Sequence, residues 1–527
     1  MSVLQRLDTP EQAVAWLRQR VPAGACLHSD SRLLQSGDVF LAWPGFAQDG
    51  RKHVVAALRS GASAVLAEAR DADSAAWLHE TKAKHNLALC EGLQRMAGEI
   101  AALWWGQPSA QMDVLAVTGT NGKTTLAWWL AHACGSADAP CGYVGTLGVG
   151  IPPMLAETGM TSPDALRLQW ELSCLREQGA TACALEASSI GLEQGRLNGT
   201  RIPVAVFTNL TQDHLDYHGT MQAYGRAKQR LFEWPDLQVA VVNAQDAYGV
   251  KLRALASVRN GLDVWDYAVA AESLPVARAR LMAVDVQFSD GCATFEVQEY
   301  SHSTPDEQAC PVQSLRMQAG VTGLYNVQNV LALLCVLRAR GMALVQAAAW
   351  CVHLPAVPGR MQIVPAQPTQ PLVVVDYAHT PDALRAALQA LRPVAQQRGG
   401  QLNVVFGCGG DRDPGKRPLM AMAAAQGADA LWITSDNPRR ERPAVIIAQV
   451  VTGLTLAQRQ AAHILEDRRQ AIAQAVTQAN ACDVVLIAGK GHEDYQEVKG
   501  VKHPFSDMQE AQQALRLRSA AQKVRGA

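Results

Sequence analysis

The sequence predicts an α/β protein of three domains, with a central domain built on a P-loop-type parallel sheet and a C-terminal Rossmann-like domain. Three observations carry this reading. The chain has 527 residues, more than one ordinary core organises, and 48% of them are hydrophobic, enough for several cores. Short apolar runs alternate with helical stretches along its length. A glycine-rich segment, Val117-Thr118-Gly119-Thr120-Asn121-Gly122-Lys123-Thr124-Thr125, falls between an apolar run and a helical pattern.

Met1 to Arg20 reads as an amphipathic helix with charges at Arg6, Asp8, Glu11, Arg18 and Arg20. It lacks the apolar centre of a signal peptide, so no export is expected. In residues 1–108, the first domain, runs such as Asp38 to Ala42 alternate with helical stretches such as His53 to Ser60. Gln107-Pro108-Ser109 breaks the helix ending at Trp104-Trp105, and a strand at Val114 to Val117 opens the second domain, 109–354. There Ala182 to Leu185, Val204 to Thr208 and Val239 to Val242 alternate with helices, the pattern of a parallel sheet covered on both faces. His353 to Gly359 reads as a linker into the third domain, 355–527. That domain carries apolar runs at Leu372 to Val375, Leu402 to Phe406, Ala430 to Thr434 and Val484 to Ala488, each followed by a loop and a helical stretch.

Composition excludes several function classes. Lys and Arg number 47 against 48 Asp and Glu, a net charge of -1 that argues against a nucleic-acid binder. Val330 to Leu337, the most apolar stretch, is too short to span a bilayer. The 12 cysteines are scattered singly, with no Cys-x-x-Cys pair, and read as small buried hydrophobes in a reducing compartment. The expectation is a cytoplasmic monomer acting on small molecules, with no membrane span.

The segment around Lys123 is the strongest chemical signal. Backbone N–H groups of Gly119, Thr120, Asn121, Gly122 and Thr125 at a helix start suit phosphate oxygens. Lys123 would neutralise β/γ charge, and Thr124 would ligate Mg²⁺. Val117 stands where the usual P-loop pattern has glycine. The bland alternative, a strand-to-helix turn that binds nothing, fits Gly-Lys-Thr-Thr poorly. Downstream lie Glu186 within Leu185-Glu186-Ala187-Ser188-Ser189, His214 within Thr208 to Asp216, and Lys228. Loops at the carboxyl ends of parallel strands are where such sheets bind ligands, so Glu186 and His214 are candidate Mg²⁺ ligands. Alone, each reads as readily as a capping or surface group. His214 and His218 imitate a zinc pair, but Tyr217 and Gly219 disfavour a regular helix there and no third ligand is evident.

These motifs, in this order, resemble the central domain of the Mur ligases. The likeness extends through Tyr325-Asn326-Val327-Gln328-Asn329, Pro358-Gly359-Arg360-Met361, Asp376-Tyr377-Ala378-His379-Thr380-Pro381 and Gly407-Cys408-Gly409-Gly410-Asp411-Arg412-Asp413. It implies an ATP-dependent amide ligase of peptidoglycan synthesis, and hence of cell-wall biogenesis, cell shape and cell division. ATP would phosphorylate a substrate carboxylate, and an amine would displace phosphate from the acyl phosphate. The resemblance places Glu186 and His214 on Mg²⁺ and makes Lys228 a carbamoylated lysine (N6-carboxylysine), which without it reads as an ordinary helix-surface lysine. It makes Lys123, Lys228 and His214 catalytic and sets Asn326, Arg360 and Asp376 on the nucleotide.

Within the family, Ser435-Asp436-Asn437-Pro438-Arg439 resembles the segment by which members adding the third residue recognise meso-2,6-diaminopimelate. That ligand has a carboxylate that lysine lacks, and an Arg fork is its bidentate partner. The resemblance implies contacts from Arg412, Asp436, Asn437, Pro438, Arg439, Gly489 and Glu493. It places Ser31, Thr161, Ser162, Ser188, Gln194 and Arg196 on a UDP-N-acetylmuramoyl-L-alanyl-D-glutamate acceptor. Three departures stand out: Gly45 to Gly50 replaces a loop usually bearing His-Gln-Ala, Met160 stands where Asn is common, and Ile190 replaces a frequent His. The rival readings are a lysine-adding, D-alanyl-D-alanine-adding or folylpolyglutamate-type amide ligase and, in another class, a P-loop nucleotide switch. Asp436-Asn437-Pro438-Arg439 and Asp30-Ser31-Arg32 speak against the sister ligases, and the Lys228 segment has no role in a switch.

Overall fold

A computed structural model describes residues 4–45, 48–70, 86–270, 279–289, 292–302 and 310–526. Their contacts group the chain into two units: Met1–Thr118, Leu130–Val206 and Ala227–Val239 form one, and Gly119–Trp129, Phe207–Arg226 and Ala240–Ala527 the other.

The first unit opens on a strand, Gln5–Leu7, and its helix runs only from Pro10 to Arg18, not from Met1 as the charge pattern suggested. The residue before a proline is held extended. Thr9 is therefore the helix cap, accepting from the Gln12 N–H, and Pro10 sits in the first turn. Five parallel strands follow in the spatial order Gln5–Leu7, Leu87–Cys90, Ala64–Glu68, Val39–Ala42, Leu27–His28. Alternation assigns their two faces. Val39, Leu41, Leu66 and Ala88 pack with the helices Pro10–Arg18 and Leu93–Trp104, while Phe40, Ala42, Val65 and Leu89 pack with Val54–Arg59.

Also in this unit, Ala182–Glu186 lies between Asp113–Thr118 and Cys141–Gly145, parallel to both. Gly148–Ile151 and Met154–Ala156 then add antiparallel strands. In the second unit, Leu281–Ser289, Cys292–Glu299 and Gln313–Ala319 form an antiparallel meander beside Asp263–Val269. The middle segment is thus mixed rather than wholly parallel. Cys292–Glu299 shows why: every second residue is buried, the mark of a strand with one face on the core. It is separated from its partner by Asp290-Gly291, a dipeptide favouring tight hairpins and lying outside the described residues.

The C-terminal strands order as Gln362–Ile363, Leu372–Asp376, Val484–Ala488, Leu402–Phe406, Ala430–Ile433, His463–Ile464. All are parallel except the first, an antiparallel edge. Val374, Val404, Phe406 and Leu486 face the helices Pro381–Gln397, Lys416–Gly427 and Pro443–Val451. Val373, Val405, Trp432 and Ile487 face Arg468–Gln478 and Asp507–Gly526. Apolar runs with no polar alternation are what a sheet buried on both faces requires.

All twelve cysteines are free thiols. Cys90, Cys141, Cys183, Cys335, Cys351 and Cys408 are buried, but Cys310 is exposed and does not fit the small-hydrophobe reading. Among the described residues no helix is long and apolar enough to cross a membrane.

One charge pair is wholly enclosed. Arg468 Nε and Nη2 each donate to an Asp507 carboxylate oxygen at 2.7 Å, with both side chains 0% exposed. Removing one partner leaves a buried charge uncompensated. Asp507→Ala is therefore expected to cost about 3–5 kcal/mol, and replacing both with apolar residues of similar volume should recover most of it. Chemical denaturation measures both, and an unchanged midpoint for Asp507→Ala would refute the assignment.

Candidate active site

Strand Asp113–Thr118 leads into the glycine-rich loop, and the helix begins at Lys123 rather than near Leu126. Gly119 and Gly122 take φ of +147° and +86°. A Cβ on Gly119 would sit 1.9 Å from Thr208 Oγ1, and one on Gly122 2.7 Å from Asn329 Oδ1, so both contacts demand glycine. The loop is wired to the segment after strand Val204–Phe207. Thr120 N–H donates to the Asn209 carbonyl at 2.8 Å, and Asn121 N–H to Asn209 Oδ1 at 2.9 Å. Thr120 Oγ1 donates to the Thr211 carbonyl at 3.1 Å and accepts from the Thr211 N–H at 3.0 Å. Lys123 Nζ folds back onto the Gly119 and Thr120 carbonyls, 2.8 Å from each. The loop is the expected phosphate cradle, but here Asn209 holds its Thr120 and Asn121 N–H groups and the Lys123 cation rests on its carbonyls.

Three of the expected nucleotide residues gather here. Arg360 Nη2 donates to Thr124 Oγ1 at 3.0 Å, and its guanidinium lies 4.2 Å from the Tyr377 ring centroid. Asp376 accepts from the N–H groups of Met361 at 2.7 Å and Ala378 at 2.8 Å. Burial pushes the Asp376 carboxyl upward, against the opposing pull of Arg360 and those N–H groups. Asn326 is bound to the Thr322 carbonyl and to Asn329, the residue that meets Gly122. The indoles of Trp128 and Trp129 donate to the Ala356 and Pro355 carbonyls, so the linker is tied to the helix that starts at Lys123.

His214 adopts a left-handed backbone, φ +52°, and caps the one-turn helix Leu215–His218, which Tyr217 and Gly219 had argued against. Gly219 ends that turn at φ +72°. His214 Nε2 and His379 Nε2 each lie 3.5 Å from Asp213 Oδ2. Burial would raise the Asp213 pKa, but the His379 hydrogen bond and the charges of His379, His214 and Lys416 outweigh it and hold the carboxyl below its ordinary range. Asp213, His379 and Asn329 were absent from the expected set. All three stand within the motifs that carry the resemblance, but none was singled out there.

In the first unit, Glu186 is fully buried at the end of its strand. Its Oε1 accepts from the Tyr143 hydroxyl and from the Thr146 N–H at 2.9 Å, and Oε2 from Thr146 Oγ1 at 3.1 Å. Thr146 Oγ1 also lies 3.1 Å from Thr161 Oγ1. Ser162 Oγ is 2.9 Å from the Glu186 carbonyl and 3.0 Å from Ser188 Oγ, which caps the helix Ser189–Glu193. Arg196 spans Gln194 Oε1 with Nε and Nη2 and the Ser162 carbonyl with Nη1 at 2.8 Å, and Nη1 lies 3.8 Å from Met160 Sδ. The structure thus assembles Thr161, Ser162, Ser188, Gln194 and Arg196 around the carboxyl end of one strand. Ser31 lies in the turn after strand Leu27–His28, beside an Asp30–Arg32 pair whose hydrogen bond brings Asp30 down to about 2. Lys228 is 1% exposed, which overturns its reading as a surface lysine. Of the departing loop, Phe46 and Ala47 lie outside the described residues.

A third group forms at the carboxyl ends of the C-terminal strands. Asn437 Nδ2 donates to Glu493 Oε2 at 2.7 Å. Its Oδ1 accepts from the buried Lys490 Nζ at 3.0 Å and the Glu497 N–H at 2.9 Å. Lys490 was not anticipated. Arg439 is left-handed, φ +49°, with Nη1 donating to the Gly410 carbonyl at 2.8 Å and Nε 3.5 Å from the Glu497 carboxylate. Burial acts to raise the Asp436 pKa, but Lys490, Arg468 and Arg439 and the Asn437 N–H keep it below its usual value. Gly489 has φ +119°, and a Cβ there would meet Asp436 Oδ2 at 2.5 Å. Pro438 follows Asn437, and its carbonyl lies where a Cβ on Gly410 would fall. Arg412 is exposed, its Nη1 3.4 Å from the Asp411 carbonyl.

A glycine-rich loop at a strand–helix junction, a buried carboxylate at a strand end and an amide–carboxylate–guanidinium cluster on a doubly wound sheet are the features expected of an α/β nucleotide-dependent enzyme. Residues 117–337 match the Mur ligase middle domain, and 359–491 the Mur ligase glutamate ligase domain. The chain belongs to the Mur ligase family, a family of ATP-dependent amide ligases. It is 49% identical over 525 residues to the UDP-N-acetylmuramoyl-L-alanyl-D-glutamate--2,6-diaminopimelate ligase of Acidovorax sp. (strain JS42), covering 98% of this chain and 99% of that one. It is 45% identical to the ligase of the same name from Janthinobacterium sp. (strain Marseille), over 95% of this chain and 96% of that one. A solved structure of a UDP-N-acetylmuramoyl-L-alanyl-D-glutamate--2,6-diaminopimelate ligase matches with a TM-score of 0.63 and 38% identity, covering 94% of this chain and 95% of that one.

Gly122→Ala tests the cradle. Forcing an alanine into the left-handed region is expected to weaken binding of a fluorescent ATP analogue by roughly tenfold or more. Gly399→Ala, also left-handed at φ +66° but with open space around it, should leave that binding unchanged. Equal behaviour of the two variants would remove Gly122 from the phosphate site.

Proposed function

We propose that this chain joins meso-2,6-diaminopimelate to UDP-N-acetylmuramoyl-L-alanyl-D-glutamate, with ATP consumed, in peptidoglycan synthesis. The observation that carries the reading is the Asn437–Glu493–Arg439 cluster on a chain so closely similar to diaminopimelate ligases. Residues 1–108 would hold the UDP end of the acceptor, 109–354 ATP, and 355–527 the amine. The reading puts the reaction in the cytoplasm, where ATP is supplied; among the described residues no helix is long and apolar enough to cross a membrane.

A carboxylate resists attack by an amine. Transfer of the γ-phosphoryl group from ATP to a carboxylate oxygen gives ADP and an acyl phosphate. The free amine then adds to the acyl carbon, phosphate leaves with the C–O bond pair, and the amine proton goes to solvent. Lys123, released from the Gly119 and Thr120 carbonyls, supplies positive charge to the transferring group, and the loop N–H groups other than those Asn209 holds bind the phosphates. Ser162, Ser188 and Arg196 orient the acceptor. Arg439, with Arg412, pairs with the carboxylate that distinguishes diaminopimelate from lysine, while Asp436, Gly489 and Glu493 receive the amino-acid end.

Mg²⁺ favours oxygen donors. The Thr124 hydroxyl and the Glu186 carboxylate supply such donors, although Glu186 Oε1 already accepts from Tyr143 and the Thr146 N–H and Oε2 from Thr146 Oγ1, so the ion would displace some of these bonds. A carbamate on Lys228 would add two more oxygens. The His214 imidazole, beside Asp213, is the weakest fit in this set. When bound, the ion offsets phosphate charge. Burial at 1% exposure supports Lys228 as a nitrogen held in one orientation, as a carbamate role requires.

Two experiments test this. Phosphate release with ATP, Mg²⁺ and the acceptor should depend on diaminopimelate far more than on lysine, and Arg439→Ala should lose that preference. Equal turnover of the two amines by the native chain would overturn the selectivity argument. Lys228→Ala should largely abolish ligation, with added bicarbonate failing to restore it because no amine remains, and mass measurement of the intact chain should lose one carbon dioxide. Near-native turnover in that variant would exclude Lys228 from the chemistry.

A further inference from the structure

Three metal-binding side chains converge in the first unit, none of them assigned above to a substrate. Cys26 immediately precedes strand Leu27–His28, and Asp38 immediately precedes its parallel neighbour Val39–Ala42. The ladder pairs Leu27 with Val39, and the Val39 N–H donates to the Cys26 carbonyl at 2.9 Å, which sets Cys26 beside Asp38. Two residues apart on an extended chain, Cys26 and His28 send their side chains to the same side. The Cys26 thiol, a His28 ring nitrogen and an Asp38 carboxylate oxygen all lie within 4.8 Å of one another, with His28 Nε2 3.2 Å from Asp38 Oδ2. Bonds of about 2.0–2.3 Å to a tetrahedral ion put its ligand atoms roughly 3.3–3.8 Å apart, so small side-chain rotations close the set.

The carboxylate is already oriented. Its Oδ1 accepts from the Cys26 N–H at 3.0 Å and its Oδ2 from the Gln35 N–H at 2.9 Å, and each oxygen keeps a further lone pair. The His28 side chain is 21% exposed and that of Asp38 11%, so an ion can enter and a water can complete its shell.

We propose that Cys26, His28 and Asp38 form a binding site for a thiophilic divalent cation, with zinc the ion that suits one sulfur, one nitrogen and one oxygen donor and an open fourth position. Binding replaces the thiol proton, which leaves to solvent. A thiolate, a carboxylate and a neutral imidazole then balance the two positive charges. Mg²⁺, which demands oxygen ligands, does not suit the site. His28 lies three residues before Ser31, so the ion would pin the segment leading to the expected UDP contact.

Cobalt(II) added to the metal-stripped, full-length chain is the test. The expected result is a thiolate-to-cobalt charge-transfer band and tetrahedral visible bands, saturating at one equivalent and displaced by zinc. The oxygen ligands proposed for Mg²⁺ produce no thiolate band, so the two kinds of site are told apart. Cys26→Ser should abolish the band, and His28→Ala should weaken cobalt binding by roughly tenfold or more. An unchanged far-ultraviolet circular dichroism spectrum of the metal-free variants would show that both fold. In the unmodified chain, zinc should protect Cys26 from alkylation, read by peptide mass. Absence of a thiolate band, its survival in Cys26→Ser, or Cys26 alkylation indifferent to zinc would each overturn the site.

Discussion

The close approach of the loop at Gly119–Lys123 to the backbone at Thr208–Thr211 is the constraint on which the proposed nucleotide site depends. A Cβ at Gly119 would overlap Thr208 Oγ1, and one at Gly122 would press on Asn329. Only with both glycines can Thr120 and Asn121 hydrogen-bond to Asn209 and Thr211. Those bonds consume polar groups on both segments and leave Lys123 with nearby carbonyls as its partners until a phosphate arrives. A cation resting on neutral carbonyls is readily drawn off by a more highly charged ligand. The same contact sets the start of the segment carrying Asp213 and His214, so the glycines constrain that segment as well as their own loop.

The C-terminal cluster is organised by enclosed charge. Arg468 and Asp507 neutralise each other without water, and Arg468 also donates to the Ala488 carbonyl at the end of a strand. Lys490, likewise buried, fixes which way the Asn437 amide points: its oxygen faces Lys490 and the Glu497 N–H, and its nitrogen faces Glu493. Buried polar groups tolerate few alternatives, because each unsatisfied donor or acceptor carries a desolvation penalty. The cluster proposed for the amino-acid substrate is thereby held in one geometry.

Legibility differed by element for physical reasons. The four core strands of the C-terminal sheet were readable from unbroken apolar runs such as Leu372 to Val375 and Val484 to Ala488, since a parallel sheet buried on both faces tolerates little else. Cys292–Glu299 was not read as a strand, although its alternation of buried and partly exposed residues is the mark of a half-buried one, because unbroken apolar runs served as the strand signal. The opening helix was drawn too long because charge spacing outweighed the stop that Thr9-Pro10 imposes. Of the candidate residues, Lys123, Thr124 and Glu186 are singled out by motif chemistry, whereas the contacts of Asp213, His379, Asn329 and Lys490 are with partners that motif reading does not pair with them.

By itself the sequence determined which residue types are available and where local chemistry is forced: glycines at a phosphate turn, a lysine beside them, apolar runs that must be buried, and motifs marking the family. Tertiary structure alone decided which of these groups meet. Lys228 looks like any helical lysine until packing buries it, and Cys26, His28 and Asp38 look unrelated until two parallel strands align. Burial and register depend on contacts between residues far apart in the chain, and local residue preferences do not encode those contacts.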